Sequence, residues 1–220
     1  MTHLPRRATS ESQQPARVSN PGPPAVDWTH DLPRLSGRLV NLRELAATDA
    51  VALHALLTTS AVDRLISPPP ATADGFERFI SAMRQGREAG TYACFGIVPT
   101  GAAAAVGLIQ IRQLEPGFRV AEWGFAIGQP YWGTGLFIDA AQLALDFVFD
   151  ELGVERLEAR AALVNGRGNG ALRKLGAVQE LVLRRSLRTG GRYLDQALWT
   201  ILATDWRETR PVVGAHTPVH

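Results

Sequence analysis

The sequence predicts one α/β domain, built on a mixed and mostly antiparallel sheet of about seven strands with flanking helices. Segments of strand and helix periodicity follow one another in the order β-α-α-β-β-β-α-β-α-β-β. Short turns at residues 99–101 and 189–191 join consecutive strands as hairpins. The chain has 220 residues, of which 45% are hydrophobic, and this suffices for one domain with a full core.

The two ends of the chain differ from the middle. Residues 1–34 carry six prolines among Ser, Thr, Gln and Arg, and too few apolar side chains to offset the entropy of ordering. We therefore predict a disordered Pro-rich tail over residues 1–34 and a flexible C-terminal tail over residues 208–220. The folded domain is expected over residues 35–207.

The charge balance and the cysteine content limit the function classes. The 23 basic and 21 acidic residues give a net charge of +2, with no basic arm of the kind that binds nucleic acid. Cys94 is the only cysteine and lies in an apolar run, which predicts a buried structural thiol. No secretory signal peptide and no run of about 18 apolar residues is present. We expect a cytoplasmic protein with neither a membrane nor a nucleic-acid partner.

The first half of the chain predicts a strand at residues 38–43 and a short amphipathic helix from Asp49 to residue 57. After a Pro-rich break comes a second helix, at residues 72–85, with its apolar side chains on one face. Strands at residues 92–98 and 104–112 then form a hairpin.

The second half begins with a strand at residues 119–127 and a long apolar helix at residues 136–152. A strand at residues 156–163 follows, then a glycine-rich loop at 165–170 and a short helix at 171–175. The final hairpin pairs residues 178–187 with residues 192–202.

A glycine-bearing turn connects the strand at 119–127 to the long helix. Gly133 and Gly135 open the helix, and such a turn presents free backbone N–H groups, reinforced by the helix dipole, to a phosphate or pyrophosphate. No Walker A lysine follows, and Ile138 stands where a dinucleotide fingerprint has its third glycine. Taken alone, the turn is a weak signal for phosphate binding, and a tight turn for close packing stays open as the alternative.

Several motifs in order resemble the GCN5-related N-acetyltransferase (GNAT) superfamily, in its RimJ/RimL-type branch of ribosomal-protein-alanine N-acetyltransferases. They cover residues 35 to about 206. The motifs are Arg38-Leu39-Val40-Asn41-Leu42-Arg43 followed by Asp49, Ala121-Glu122-Trp123-Gly124-Phe125-Ala126-Ile127, Pro130-Tyr131-Trp132-Gly133-Thr134-Gly135, Asn165, Ala171-Leu172-Arg173-Lys174-Leu175-Gly176-Ala177, Tyr193-Leu194-Asp195 and Trp206.

The resemblance implies that acetyl-CoA is the acetyl donor. It implies that the backbone amides of six consecutive residues cradle the pyrophosphate: Trp132, Gly133, Thr134, Gly135, Leu136 and Phe137. Strand residues Phe125, Ala126 and Ile127 would pair with the pantetheine amides and give an N–H to the thioester oxygen. For Asn165, a hydrogen bond to the cofactor and a loop-capping role both stay open.

Two residues depart from the family pattern. Phe137 stands where the family has Ala or Gly, so its ring crowds the phosphate turn unless it points into the core. Gly168 stands where the family has a Ser that contacts the CoA sulfur, so water or another group must protonate the leaving thiolate. A thiol pKa near 8.5 makes that step undemanding.

Glu122 is the candidate general base. Its strand face is otherwise small, with Gly124 and Ala126, which leaves room for an amine or a bridging water. The alternative, a strand carboxylate without catalytic function, stays open. No His/Cys/Asp cluster predicts a metal site.

The expected function is acetyl transfer to a primary amine, either a protein N-terminal α-amine or a small molecule, by direct attack. The helices within residues 49–85 and the loop at 67–70 would shape the acceptor pocket. A non-catalytic CoA-binding or regulatory module is the alternative. An edge strand in the C-terminal hairpin leaves a homodimer open, and the arginines at 184, 185, 188 and 192 are either a solvated face or an anion contact.

Overall fold

One eight-stranded sheet organises the chain in the computed structural model, which describes residues 27–209. The strands lie in the order β1-β2-β3-β4-β5-β6-β8-β7, and every neighbouring pair is antiparallel except β5 and β6. This confirms the predicted mixed, mostly antiparallel sheet. Its strands are β1 (Leu35–Ser36), β2 (Val40–Glu44), β3 (Tyr92–Pro99), β4 (Gly107–Gln113), β5 (Val120–Ile127), β6 (Arg156–Ala162), β7 (Val178–Thr189) and β8 (Arg192–Leu202).

Within the described residues, six α-helices pack around this sheet: α1 (Ala50–Leu57), α2 (Ser60–Asp63), α3 (Ala73–Glu88), α4 (Leu136–Asp146), α5 (Gly166–Lys174) and α6 (Ala203–Thr209). Three elements escaped the sequence analysis, because the two residues of β1, the four of α2 and the seven of α6 are too short to show a clear period.

The sheet separates two apolar layers, and strand alternation decides which side chain enters which layer. On β3, Phe95 and Ile97 pack with the helix α4 layer, whereas Cys94 and Val98 pack with α1 and α3. Burial raises the pKa of the Cys94 thiol to about 12, as expected for an inert structural thiol.

Two predicted segments differ from the structure. The expected glycine loop at 165–170 is helical from Gly166 onwards, because the Asn165 carboxamide caps the helix by accepting from the Gly168 amide at 2.9 Å. The long helix predicted to residue 152 is an α-helix only to Asp146, and it continues as a π-helical turn over Phe147–Glu151.

The structure places residues before the predicted boundary at residue 35 against the domain. Leu32 is 4% exposed, and Trp28 meets Phe118 edge to face with ring centroids 5.4 Å apart. The Arg87 guanidinium also donates to the Thr29 carbonyl. The rest of the predicted N-terminal tail, residues 1–26, lies outside the described residues.

The C-terminal boundary also moves outwards, to the end of α6 at Thr209. Trp206 is buried, and its indole N–H donates to the Asp146 carboxylate at 3.0 Å, which holds α6 against α4. Residues 210–220 of the predicted C-terminal tail lie outside the described residues.

A buried carboxylate fixes the start of α1 against the sheet. Asp49 is 1% exposed and accepts two hydrogen bonds from the Arg43 guanidinium, at 2.7 and 2.9 Å. The amides of Ala46 and Ala105 donate to it at 2.8 and 2.9 Å. Burial alone would raise the pKa of Asp49, but these donors outweigh it and the pKa is lowered.

We expect Asp49→Asn to lower the free energy of unfolding by about 2–4 kcal/mol, because it removes one partner of a buried ion pair. Chemical denaturation at pH 7 measures this, and Asp74→Asn, which changes an exposed carboxylate on α3, should cost under about 0.5 kcal/mol.

The stabilisation that Asp49 contributes depends on pH in a defined direction. Since folding lowers the Asp49 pKa, its stabilisation is complete above the ordinary value of 3.8 and is lost as pH falls through the folded-state value. The gap between wild type and Asp49→Asn should be constant near neutral pH and narrow in acid. A gap that widens in acid contradicts this assignment.

Candidate functional site

The candidate site lies where the two parallel strands of the sheet separate. β5 and β6 pair from Val120↔Arg156 to Trp123↔Ala159, and β5 then runs on to Ile127 without β6 beside it. β6 meanwhile stays paired with β8 as far as Ala162. The result is a wedge-shaped opening with strand backbone along one wall.

The backbone groups of Phe125 and Ile127 point into this opening. Every second residue of a strand directs its N–H and C=O to the same side. The Gly128 amide donates to Val106 on the side of β4, so Phe125 and Ile127 direct theirs to the other side. There the Trp132 indole N–H donates to the Ile127 carbonyl at 3.0 Å, which fixes the start of the turn.

The glycine turn presents open amides at one end of the opening. Gly133 and Gly135 have φ angles of 75° and 87°, the left-handed region that favours glycine. The Trp132 amide donates to the Gln129 carbonyl at 3.1 Å, and the Leu136 amide donates to the Thr134 hydroxyl at 3.4 Å. The first amide of α4 to donate to a backbone carbonyl is that of Asp139, which donates to the Gly135 carbonyl at 3.1 Å. Apart from that of Leu136, the amides from Gly133 to Ile138 have no acceptor among the described residues, as an anion site at a helix N-terminus requires.

A first cavity, of about 450 Å³, fills the wedge and reaches the glycine turn. Most of the residues predicted to bind the cofactor line it: Phe125, Ala126, Ile127, Trp132, Gly133, Gly135, Phe137 and Asn165. Thr134 and Leu136 do not line the cavity. The Thr134 hydroxyl donates to the Tyr131 carbonyl at 2.8 Å, and Leu136 packs against the core.

Two cations on α5 also line this cavity, and the sequence analysis missed them. The Arg167 guanidinium carbon lies 4.8 Å from the centroid of the Trp132 ring, and Lys174 follows on the same helix. Their spacing of seven residues, two helical turns, was the available signal. It went unused because residues 165–170 were read as loop.

Phe137 lies against strand β5. Its ring centroid is 4.4 Å from that of Phe125, at an interplanar angle of 38°, and it packs against the α4 side of the core. The ring therefore forms part of the cavity wall at the base of the wedge, and the amides of the glycine turn stay open.

Asn165 is placed as a helix cap at the junction of two cavities. Its carboxamide oxygen binds the Gly168 amide, and its backbone carbonyl accepts from the Asn169 amide at 3.0 Å. A Cβ atom at Gly168 would lie 2.6 Å from the Asn165 carboxamide nitrogen. The cap therefore occupies the space in which a side chain at 168 would begin.

A second cavity, of about 780 Å³, adjoins the first. Both are lined by the same five residues: Leu65, Ile66, Phe125, Ala126 and Asn165. The loop at 67–70 and side chains from α1 and α3, among them Phe76 and Phe79, complete the apolar part of the second cavity.

Glu122 lies in the second cavity and is paired with two arginines. One carboxylate oxygen is 2.5 Å from a terminal nitrogen of Arg112, which stands directly opposite on β4. The other oxygen is 3.5 Å from Nε of Arg160 on β6. Its side chain is 20% exposed, against 43% for each arginine.

Within residues 27–209, no cluster of three or more His, Cys, Asp or Glu side chains could hold a metal ion. In the same part of the chain, no helix combines the length and the apolar character needed to cross a membrane.

We expect Asn165→Ala to lower the free energy of unfolding by about 1 kcal/mol, because it removes the side-chain cap of α5. Asn165→Asp, which keeps an acceptor oxygen at the same place, should lose much less. Thermal unfolding of the three proteins measures the difference, and equal melting temperatures for Ala and Asp variants would contradict the capping role.

Comparison with known proteins assigns the family. The family described as "Acetyltransferase (GNAT) domain" matches residues 39–178. The chain is 26% identical over 100 residues to "Putative ribosomal N-acetyltransferase YdaF" of Bacillus subtilis (strain 168), covering 46% of this chain and 55% of that relative. It thus spans little more than half the length of this relative.

A second relative and a solved structure agree. The chain is 23% identical over 137 residues to the [Ribosomal protein uS5]-alanine N-acetyltransferase of Escherichia coli (strain K12), covering 62% of this chain and 71% of the relative. The structure of Mycobacterium smegmatis RimJ in complex with CoA-disulfide has the same fold, with a TM-score of 0.72, 21% identity and coverage of 81% of this chain and 90% of that one. With the family match over most of the described residues, the predicted resemblance is confirmed, and the chain belongs to the GNAT acetyltransferase family.

Proposed function

We propose that the chain transfers the acetyl group of acetyl-CoA to a primary amine, either a protein N-terminal α-amine or a small-molecule amine. The observation that carries this proposal is the meeting of two cavities at Phe125, Ala126 and Asn165. One cavity ends in open helix amides that suit a pyrophosphate, and the other contains a carboxylate that suits an amine. A donor and an acceptor can therefore meet at the shared wall.

The donor would occupy the wedge. The open amides of the glycine turn and the α4 dipole favour the pyrophosphate, and Arg167 and Lys174 add positive charge along the same cavity. The pantetheine amides would then pair with the free edge of β5, where Phe125 and Ile127 direct their backbone groups.

The same strand edge would stabilise the reaction. When an amine attacks the thioester carbon, negative charge develops on the thioester oxygen. A fixed backbone N–H of Phe125 or Ile127 donates to that oxygen without reorganising, an effect commonly worth a few kcal/mol.

The bond changes require no enzyme-bound intermediate. The neutral amine forms a C–N bond to the acetyl carbon, the C–S bond breaks, the ammonium loses one proton and the thiolate gains one. The buried Cys94 thiol, whose pKa is raised to about 12, is unsuited to act as a nucleophile. Gly168 offers no hydroxyl to protonate the thiolate. Water is sufficient for this step, because the pKa of a thiol is near 8.5.

Glu122 would act through water. Ala126 lies four positions further along the extended strand, about 13 Å away between Cα atoms at the usual strand rise. The carboxylate therefore lies too far from the shared wall for direct contact with an attacking amine. A chain of one or two waters in the second cavity would carry the proton to it.

An α-amine suits such a modest base. With a pKa near 8, about a tenth of an α-amine is already neutral at pH 7, against well under a thousandth of a lysine side chain. The Escherichia coli relative is named an alanine N-acetyltransferase of ribosomal protein uS5. Since the side chain of alanine has no amine, this name supports a protein α-amine here. A bacterial ribosomal acceptor would place the reaction in the cytoplasm.

We expect acetyl-CoA at about 100 times its dissociation constant to stabilise the protein by about 2.7 kcal/mol, a rise in melting temperature of about 5–10 °C. At the same acetyl-CoA concentration, Lys174→Gln should reduce the rise, because it removes a positive charge from the cavity. The matched control is Arg119→Gln, which removes an exposed arginine that pairs with Glu155. No shift at saturating acetyl-CoA would refute the proposed function.

Replacing the base candidate tests its role in turnover. We expect Glu122→Gln to lower kcat/KM by about 10²-fold or more at pH 7, with the loss shrinking at higher pH as the acceptor amine deprotonates unaided. The control is Glu158→Gln, at the register partner of Glu122 on β6, which lines neither cavity. Turnover that is unchanged across pH excludes Glu122 as the base.

A non-catalytic CoA-binding module is the second candidate. The pairing of both Glu122 oxygens with guanidinium groups favours it, since those oxygens are less available to an amine. Thiol release from acetyl-CoA over a panel of peptide and small-molecule amines separates the two. Binding of CoA without transfer to any acceptor supports the module.

A further inference from the structure

The second cavity has an excess of positive charge. Its lining contains three charged side chains, those of Arg112, Glu122 and Arg160, with a sum of one positive charge. Its other polar side chains, on Tyr92, Gln110, Ser186, Gln196 and other residues, are neutral. The carboxylate of Glu158, next to Arg160 on β6, is bound by Arg156 at 3.0 Å and does not line the cavity.

Both cavity arginines keep donors to spare. A guanidinium has five N–H donors in a planar fork that matches a carboxylate. Among the described residues, Arg112 makes one hydrogen bond, to Glu122, and Arg160 makes an ion pair with the same carboxylate. Each is 43% exposed, so the remaining N–H groups are accessible to a ligand.

The guanidinium groups lie at a distance from the reaction point that suits a peptide, because both are in contact with the Glu122 carboxylate. The shared wall at Phe125 and Ala126 is three to four residues along β5 from Glu122, about 10–13 Å between Cα atoms. An acidic side chain of the acceptor spans part of this distance. The remaining gap is on the order of two extended residues, at about 3.3 Å per residue.

A free amino acid does not span this gap. Its carboxylate is separated from its amine by a single carbon, so the two groups cannot reach the shared wall and the arginines together. A peptide that enters with its α-amine at the wall places its second and third side chains near Arg112 and Arg160.

We propose that this cavity selects polypeptide acceptors that carry Asp or Glu at the second or third position, with Arg112 and Arg160 as the specificity residues. This inference rests on the proposed acetyl transfer to an α-amine. The excess positive charge also disfavours Lys or Arg at the same positions.

Matched peptides test the inference. Hexapeptides that begin with Ala and carry Glu, Gln or Lys at position 2 or 3 differ only in charge and are assayed by thiol release from acetyl-CoA. We expect kcat/KM to be about three- to tenfold higher for Glu than for Gln, and lowest for Lys, since exposed guanidinium groups give modest energies. The Glu preference should shrink between about 0.05 and 0.5 M salt.

Variants assign the preference to its residues through the Glu-to-Gln ratio rather than through absolute activity. Arg112→Gln and Arg160→Gln should each bring the ratio towards one. Arg119→Gln removes an exposed arginine that lines neither cavity and should leave the ratio unchanged.

The outcomes are distinguishable from failure of the proposed function. Equal rates for Glu and Gln peptides, or a preference for Lys, overturn the inference while leaving acetyl transfer intact. A Glu preference that survives in both arginine variants overturns the assignment to this cavity. If acetyl-CoA raises the melting temperature but no peptide is acetylated, the peptide acceptor and this inference both fall.

Discussion

The separation of β5 from β6 is the constraint on which the rest of the site depends. Four residues of parallel pairing hold the strands together up to Trp123, and beyond it the backbone of β5 has no strand neighbour on that side. Such an edge is costly inside a protein unless something satisfies it. Here the Trp132 indole N–H donates to the Ile127 carbonyl, and the rings of Phe125 and Phe137 pack beside the edge on the α4 side. The remaining backbone groups of Phe125 and Ile127 face the first cavity.

Two helix N-termini line the first cavity together with the edge of β5. α4 starts after Gly135 and α5 after Asn165, and residues at both starts line the first cavity. The glycine turn needs left-handed backbone, whereas the start of α5 needs the Asn165 side chain as a cap. The site thus depends on two different local devices that face the same cavity, and neither involves a charged side chain.

The sheet and the glycine turn were predictable because each has a strong local signal. Hairpins, alternation on β5 and the Gly133–Gly135 spacing are properties of neighbouring residues. α2 was too short for a period to show, and three glycines in α5 suggested a loop until a capping side chain and tertiary packing outweighed their propensity. The packing of Trp28 on Phe118 joins residues that are far apart in the sequence, and composition alone favoured disorder there.

The candidate site, like the fold, was predictable from the sequence only in part. The residues on β5 and in the turn were predicted from motifs, and most of them line the first cavity. The pairing of Glu122 with Arg112 and Arg160 was not predicted, because it depends on the register of β4 against β5 and on a third strand. The orientation of Phe137 also required the packing of α4 on the sheet.

The two cavities have a common wall segment, Leu65 and Ile66, between α2 and the proline-rich loop. The hairpin tip of β7 and β8 touches the same region, where the Thr189 hydroxyl donates to the Asp63 carbonyl at 3.2 Å. A ligand that shifted this segment in one cavity would change the shape of the other. Occupancy of the two cavities would then be thermodynamically linked, and linkage is reciprocal: whatever factor the first ligand imposes on the affinity of the second, the second imposes on the first.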